Sequence, residues 1–435
     1  MANGGSFIAA GDLFITRRLP ENGYKGFWEL QNLIRKQDVK FVNLEVTFHD
    51  REGYPFGFSG GTWAMAAPEL LEDVKKFGFN IYNSANNHSM DYSHNGLLAT
   101  MRNLKKEKMN FAGIGENLAD AAAPAYIETE NMRVALIAAT STFHESWAAG
   151  NQRMDMKGRP GVNPLKVRTR YHVEEANYQK LREIADEVDI NAQYNLDVKE
   201  GFTVPKENCF QFGSHEFIKD NRNYKETVPD QTDQERIIAS IKEARKQSDF
   251  VMVSIHSHEI NGEDKERPAQ FLQVFARACI DAGAAVILGH GPHLLRGIEL
   301  YHGGVIFYSL GNFLFENDTT THQPADFYEK YHMPGDGMVG GGMDCRSHNG
   351  TIGLGTDARV WHSCIANWQV RDGKMVSLSM YPIGLGDMLP RYRKGLPALC
   401  ECDEVLEHLA DLSREFGTKM DIRDHVGIVR LETAG

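Results

Sequence analysis

No stretch of the 435 residues approaches the roughly 18 apolar positions of a membrane span. A basic arm is also missing: 47 Lys and Arg stand against 59 Asp and Glu, and the net charge of −12 argues against a general nucleic-acid surface. The start, MANGGSFIAAGDLF, has neither the charged n-region nor the apolar h-region of a signal peptide, so the expectation is a cytoplasmic protein without a membrane partner. Cysteine is sparse. The six are scattered without zinc-knuckle pairing, and Cys400-Glu-Cys402, a single C-x-C, reads as structurally incidental. Internal repeats and low-complexity tracts are absent too. With 42% hydrophobic and 24% charged residues, what remains is the composition of a globular protein.

What is present is a series of short apolar runs, each stopping at a polar residue. Val286–His293, VILGHGPH, is the clearest: four consecutive apolar positions ending in a glycine, then two histidines three residues apart. Unbroken apolar runs of this length are the mark of parallel strands buried on both faces. Similar strands are expected at Ser6–Ala10, Lys40–Val46, Asn80–Ala85, Asn131–Thr140, Asp249–Ile255 and Gly304–Ser309, with helices at Phe27–Lys36, Pro68–Phe77, 96–108 and Pro268–Ala282 between them. In KFVNLEV, period-two alternation puts Phe41, Asn43 and Glu45 on one face. The sections 143–233, polar and poor in apolar runs, and 316–357, loop-like and glycine-rich, break this rhythm. The expected architecture is one α/β domain, 1–435, carrying two long insertions.

Five segments end in a restricted chemistry: Asp12; Glu45 with Asn43; Asn87 with His88; His256 with His258; and His290 with His293. Carboxylate, amide oxygen and imidazole suit zinc, manganese or iron better than a thiolate-seeking metal. Each alone has a bland explanation, since Asp after Gly is a common turn or cap residue and Asn-Asn a common turn pair. Their coincidence carries the weight, because parallel strands deliver their carboxyl ends to one rim, where ligands bind in open α/β sheets.

The series Gly11-Asp12, Asn43-Leu44-Glu45, Asn86-Asn87-His88, Ser254–His256 and Gly289-His290-Gly291-Pro292-His293, followed by Gly311-Asn312-Phe313, resembles the CapA family of poly-γ-glutamate capsule synthesis proteins. That family looks like a branch of the calcineurin-like metallophosphoesterases. The resemblance spans roughly residues 6–143 and 234–316. It implies a four-layer αββα sandwich of metallophosphoesterase type and a centre for one or two divalent ions. Asp12, Glu45, Asn87, His256, His290 and His293 would be ligands, and His88 the acid that protonates a leaving group. Asn43, His258 and Arg296 are candidates to meet substrate.

Two positions depart from the phosphoesterase pattern. Phe14 stands where a histidine is expected two residues after the first aspartate, and two residues rather than one separate His290 from His293. These departures leave a metal-free state open. The leading expectation is a hydrolase with a metal-bound water as nucleophile, acting on a phosphoester or a γ-glutamyl or peptide amide. A metal-independent peptide isomerase or epimerase working by His/Glu acid–base chemistry is the second. A non-catalytic accessory of capsule synthesis is the third. The expected partner is a small-molecule, γ-glutamyl or peptide substrate.

Overall fold

The computed structural model describes residues 4–334 and 337–431. Met1–Asn3 at the start, and Gly335 and Asp336 of the second glycine-rich stretch, lie outside the described residues. In chain order the framework is β1 (Gly4–Phe14), α1 (Phe27–Arg35), β2 (Val39–Leu44), α2 (Leu70–Phe77), β3 (Ile81–Asn83), α3 (Ser93–Lys106), β4 (Asn110–Ala112), β5 (Ala125–Glu128) and β6 (Arg133–Thr140). It resumes with α4 (Gln231–Gln247), β7 (Phe250–His256), α5 (Gln270–Asp281), β8 (Val286–His290), β9 (Leu295–Tyr301), β10 (Gly304–Leu310) and β11 (Asn312–Phe315). It closes with β12 (His362–Arg371), β13 (Lys374–Gly384), α6 (Asp403–Arg414), β14 (Met420–Arg423) and β15 (Val426–Val429).

Two sheets form. The first runs β14-β15-β13-β12-β1-β2-β3-β4, with β11 also paired to β1. Its β1–β4 half is parallel, whereas β12 runs antiparallel to β1 with Gly4 opposite Arg371. The second runs β9-β10-β8-β7-β6-β5, parallel through β6, β7, β8 and β10.

Alternation along each strand decides what lies between them. In β1, Phe7 and Ala9 face the opposite sheet while Ile8 and Ala10 face helices. In β7, Phe250 and Met252 point between the sheets and Val251, Val253 and Ile255 point to α4 and α5. Phe7 stacks on Trp368 at 5.3 Å and meets Phe250 at 4.8 Å, so the inter-sheet layer is locked by aromatic contacts. The helices close the outside through Leu30, Ile34, Leu71 and Val74 on one face and Ile237, Ile241, Phe271 and Phe275 on the other. Each such side chain contributes about 1.5–3 kcal/mol by leaving water. Helix, sheet, sheet, helix: this is the expected four-layer αββα sandwich.

The long breaks differ from their expected form. Trp147, Val162 and Leu165 are buried in the framework, so the polar departure begins only after Leu165. Strands Val167–Val173, Phe210–Phe212, His215–Lys219 and Tyr224–Pro229 then make a separate four-stranded sheet, with helix Glu175–Glu187 packed on it. Val167 pairs with Pro229, so chain entry and exit lie side by side. Cys400 and Cys402, read as incidental, are joined as a disulfide across a Cα separation of 5.3 Å, a span the bridge tolerates. Among the described residues no helix is long and apolar enough to cross a membrane.

Candidate metal centre

The carboxyl ends of the parallel strands meet at one place, but from two sheets rather than one rim. Asp12, Asn43 and Asn83 come from β1–β3 of the first sheet; Ser254, His256 and His290 come from β7 and β8 of the second. Register sets the rows: Asp12 pairs with Asn43, Asn43 with Asn83, and His256 with His290. Asp12, Glu45 and His256 are fully buried, and His290, Asn87, His88 and His293 nearly so.

At the centre, Asp12 Oδ1 lies 3.5 Å from His290 Nδ1 and 3.8 Å from His256 Nδ1, and its Oδ2 lies 3.7 Å from His293 Nδ1. Glu45 Oε1 lies 3.6 Å from His256 Nε2 and 3.7 Å from His293 Nε2. Donor atoms fall into three groups compact enough to hold an ion: Asp12, His256 and His290; Glu45, His256 and His258; and Asp12, Glu45 and His293. Two of these share Asp12, two share His256 and two share Glu45, which is how a bridged pair of sites is built.

Unsatisfied atoms test whether a cation fits. Both oxygens of Glu45 and Oδ1 of Asn87 are buried without a hydrogen-bond partner. A buried polar atom left unpaired costs about 1–3 kcal/mol, and more when charged. Burial also pushes the Asp12 carboxyl up to about 7 and the Glu45 carboxyl well above its ordinary range, the latter helped by the charge of Asp12. The same burial drives His290 and His293 down to about 3 and holds His256 and His258 well below 6.5. The imidazoles are already neutral, and the carboxyls keep their protons for want of a counter-charge, so a divalent cation taking the place of those protons would complete the set. The residues fit a metal.

A second layer holds the first. Asn43 Nδ2 donates to Asp12 Oδ1 at 2.7 Å, and Gly291 N donates to Oδ2 at 3.0 Å from a positive φ of 121°. Ser254 Oγ meets His290 Nε2 at 2.7 Å, and Asn312 Oδ1 meets His293 Nδ1 at 2.9 Å. His293 itself has φ 63°, an uncommon backbone state for a residue with a Cβ. It is the Gly291-Pro292 spacer that turns its ring back toward Asp12 and Glu45.

Over this floor opens a cleft of about 210 Å³, lined by His88, His258 and His293 among others. His88 Nδ1 is 2.6 Å from Asp91 Oδ2, which also accepts the Ala64 N–H at 2.7 Å. Phe14 meets the His88 ring edge-on at 5.3 Å, so it walls the cleft where a further ligand was expected.

Not every expected role survives. Asn43 is fully buried and spends its amide on Asp12, with its Oδ1 accepting from Asn83 and Asn86, so it faces no substrate. Arg296 is also fully buried. Its guanidinium donates to the carbonyls of Lys265, Glu259 and Ser257, strapping a hairpin rather than meeting a ligand. His258 Nε2 sits 3.1 Å from His256 Nε2 and belongs with the candidate ligands as well as with the cleft wall. Asp91 was missed although it stands one helical turn after His88, a spacing that could have revealed it. Lys265 and Arg346, also on the cleft wall, have no local signature.

Residues 6–317 match the model of the bacterial capsule synthesis protein family PGA_cap. The chain is 34% identical over 447 residues to the uncharacterized protein y4sH of Sinorhizobium fredii, covering 99% of this chain and 94% of that one. It is 28% identical over 271 residues to the PGA biosynthesis protein CapA of Bacillus subtilis, 62% of this chain and 51% of that one. Against the capsule biosynthesis protein CapA of Bacillus anthracis the figures are 27% over 337 residues, 76% and 64%. Among solved structures, a hypothetical protein from Thermus thermophilus aligns with TM-score 0.38 and 11% identity, over 87% of this chain and 98% of that one. With that span matched and a relative 34% identical along nearly its whole length, the chain belongs to the bacterial capsule synthesis protein family PGA_cap.

Proposed function

We propose that this protein is a metal-dependent hydrolase of CapA type, acting on a phosphoester or on a γ-glutamyl or peptide amide. The observation that carries the reading is the cluster of unsatisfied buried donors at the strand ends, Glu45 and Asn87 above all. Asp12, Glu45, Asn87, His256, His290 and His293 would hold one or two ions of the manganese, zinc or iron type. The chemistry supplied when a divalent ion is bound there is Lewis acidity and a low-pKa water at neutral pH.

The rest falls to the chain. Asp91 accepts from His88 Nδ1–H and so orients the ring, and when the ring is doubly protonated its Nε2–H gives its proton to the departing oxygen or nitrogen. Phe14 keeps the His88 ring upright and excludes water from one side of it. Asn43 and Gly291 keep the Asp12 carboxylate from rotating. Ser254 and Asn312 do the same for two imidazoles.

The test combines elemental analysis of the purified protein with hydrolysis assays on p-nitrophenyl phosphoesters and γ-glutamyl anilides. One to two equivalents of metal are expected, with metal and activity lost together in Asn87→Ala. A metal-free protein that instead exchanges a substrate carbon-bound proton with deuterated water would overturn the reading.

A further inference from the structure

The floor of the centre is acidic, but its mouth is not. None of the described residues lining the 210 Å³ cleft is Asp or Glu, in a chain whose acids outnumber its bases by 59 to 47. Two cations line it instead, Lys265 and Arg346. Neither forms an ion pair with a carboxylate among the described residues. Arg346 Nη1 donates to the buried Thr62 Oγ1 at 2.5 Å, which orients the guanidinium while leaving its other N–H groups free. Lys265 is exposed, on a hairpin whose position is set by Arg296 Nε donating to the Lys265 carbonyl at 2.9 Å. Both line the same cleft as His258 and His293, so both stand over the centre itself.

Arg346 is also a junction. It lies with Phe315, Asn317 and Leu354 on the wall of the cleft and of a larger groove of about 470 Å³. Trp361 and Tyr392 line that groove. A substrate reacting at the floor therefore passes Arg346 if it extends beyond the scissile bond. Thr62 belongs to a loop pressed onto the site, for a Cβ at Gly60 would collide with the Asn87 amide. Held by that loop, the guanidinium is preorganised and loses little freedom on binding.

We infer that Arg346, seconded by Lys265, is the specificity-determining anchor for a second negatively charged group on the substrate, a carboxylate or phosphate displaced from the reacting bond toward the groove. The inference rests on the hydrolase reading for the identity of the floor, but the recognition step needs no turnover. The substrate class it names is a dianion or longer anion, with one end at the floor and the other at the guanidinium. Arginine rather than lysine at this position suits bidentate recognition of a planar carboxylate.

The test is calorimetric binding to the full chain in manganese. Glutarate and butyrate serve as a matched dianion and monoanion, and glycerol bisphosphate with glycerol phosphate as the phosphate pair. For the wild type, the member of each pair with the additional group is expected to bind tighter, and whichever pair has the greater ratio identifies the group. Arg346→Met should erase that preference by about 10- to 100-fold, the worth of a charge-assisted hydrogen bond. Arg346→Lys should restore part of it, and butyrate and glycerol phosphate should bind nearly as before. An unchanged ratio in Arg346→Met, with the fold intact by circular dichroism, would overturn the inference. A preference that depends on Arg346 in a protein that neither keeps metal nor hydrolyses anything would sink the hydrolase reading while leaving the anchor standing.

Discussion

The floor of the centre and its walls are built by different means. The floor is made of strand ends and the turns that follow them, and backbone pairing places its central groups: His256 beside His290, Asp12 beside Asn43. The walls come from segments far apart in sequence. Phe14 ends β1, Lys265 sits on a hairpin, and Arg346 ends a helix of the second insertion, Val339–Arg346. The first insertion, with its own sheet, contributes no residue to the cleft among those described. Rigid pairing suits groups that must hold a cation within a few tenths of an ångström. Walls held by side-chain contacts can change without disturbing that pairing. On the proposed function, chemistry and selectivity are thus separable.

His256→Ala tests that division most severely. It removes a donor shared by two of the three ligand groups, so metal retention by elemental analysis and hydrolysis should both fall to background. Next comes His88→Ala, a wall residue acting on the chemistry. It should keep its metal but lower kcat by about 10²- to 10⁴-fold for a poor leaving group. The loss should be smaller for p-nitrophenol, which needs no proton; equal losses on both substrates would remove the acid role. Ser254→Ala probes the layer beneath the floor, with metal affinity expected to weaken by about 10- to 100-fold in competition with a chelating dye.

The pH response distinguishes floor from walls without mutation. In the metal-free fold Asp12 is lifted from 3.8 to about 7, so it keeps its proton where the unfolded chain has lost it. Its contribution favours the metal-free fold at low pH and turns against it as pH rises from about 4 through 7. His290 and His293, lowered to about 3, are neutral at pH 6 and at pH 8 alike and need lose no proton to bind metal over that span. Added metal should therefore raise Tm more at pH 8 than at pH 6, and equal shifts would contradict a floor loaded through Asp12. The smallest effect should come from replacing residues 169–227 with a short turn, since Val167 and Pro229 already pair. Metal affinity is expected to stay within about twofold, the kind of separation that independent sites display. A large loss would place the first insertion among the walls after all.

The apolar runs and their polar ends made the layered α/β fold legible and offered Asp12, Glu45, Asn87, His88, His256, His290 and His293 as candidates, of which the fold gathers Asp12, Glu45, His256, His290 and His293 closely enough to share ions. Local chemistry carried that much, because a buried strand must be apolar and its end is where polar groups emerge. Asn43 and Arg296 were misjudged for the opposite reason. A polar residue near a site reads the same whether it faces a ligand or props a neighbour, and burial alone tells them apart. Alternation in KFVNLEV put Asn43 and Glu45 on one face, yet only the opposing sheet turned that face into the floor of a centre.

By itself, then, the sequence determined which strands exist and what chemistry each one ends in, since periodicity and side-chain type are local properties. The tertiary structure alone decided that two sheets share one centre, that Asp91 holds His88, and that Arg346 reaches the mouth from a distant part of the chain. Those contacts depend on geometry about which local propensity says nothing, and only the packing of one layer on another brings them together.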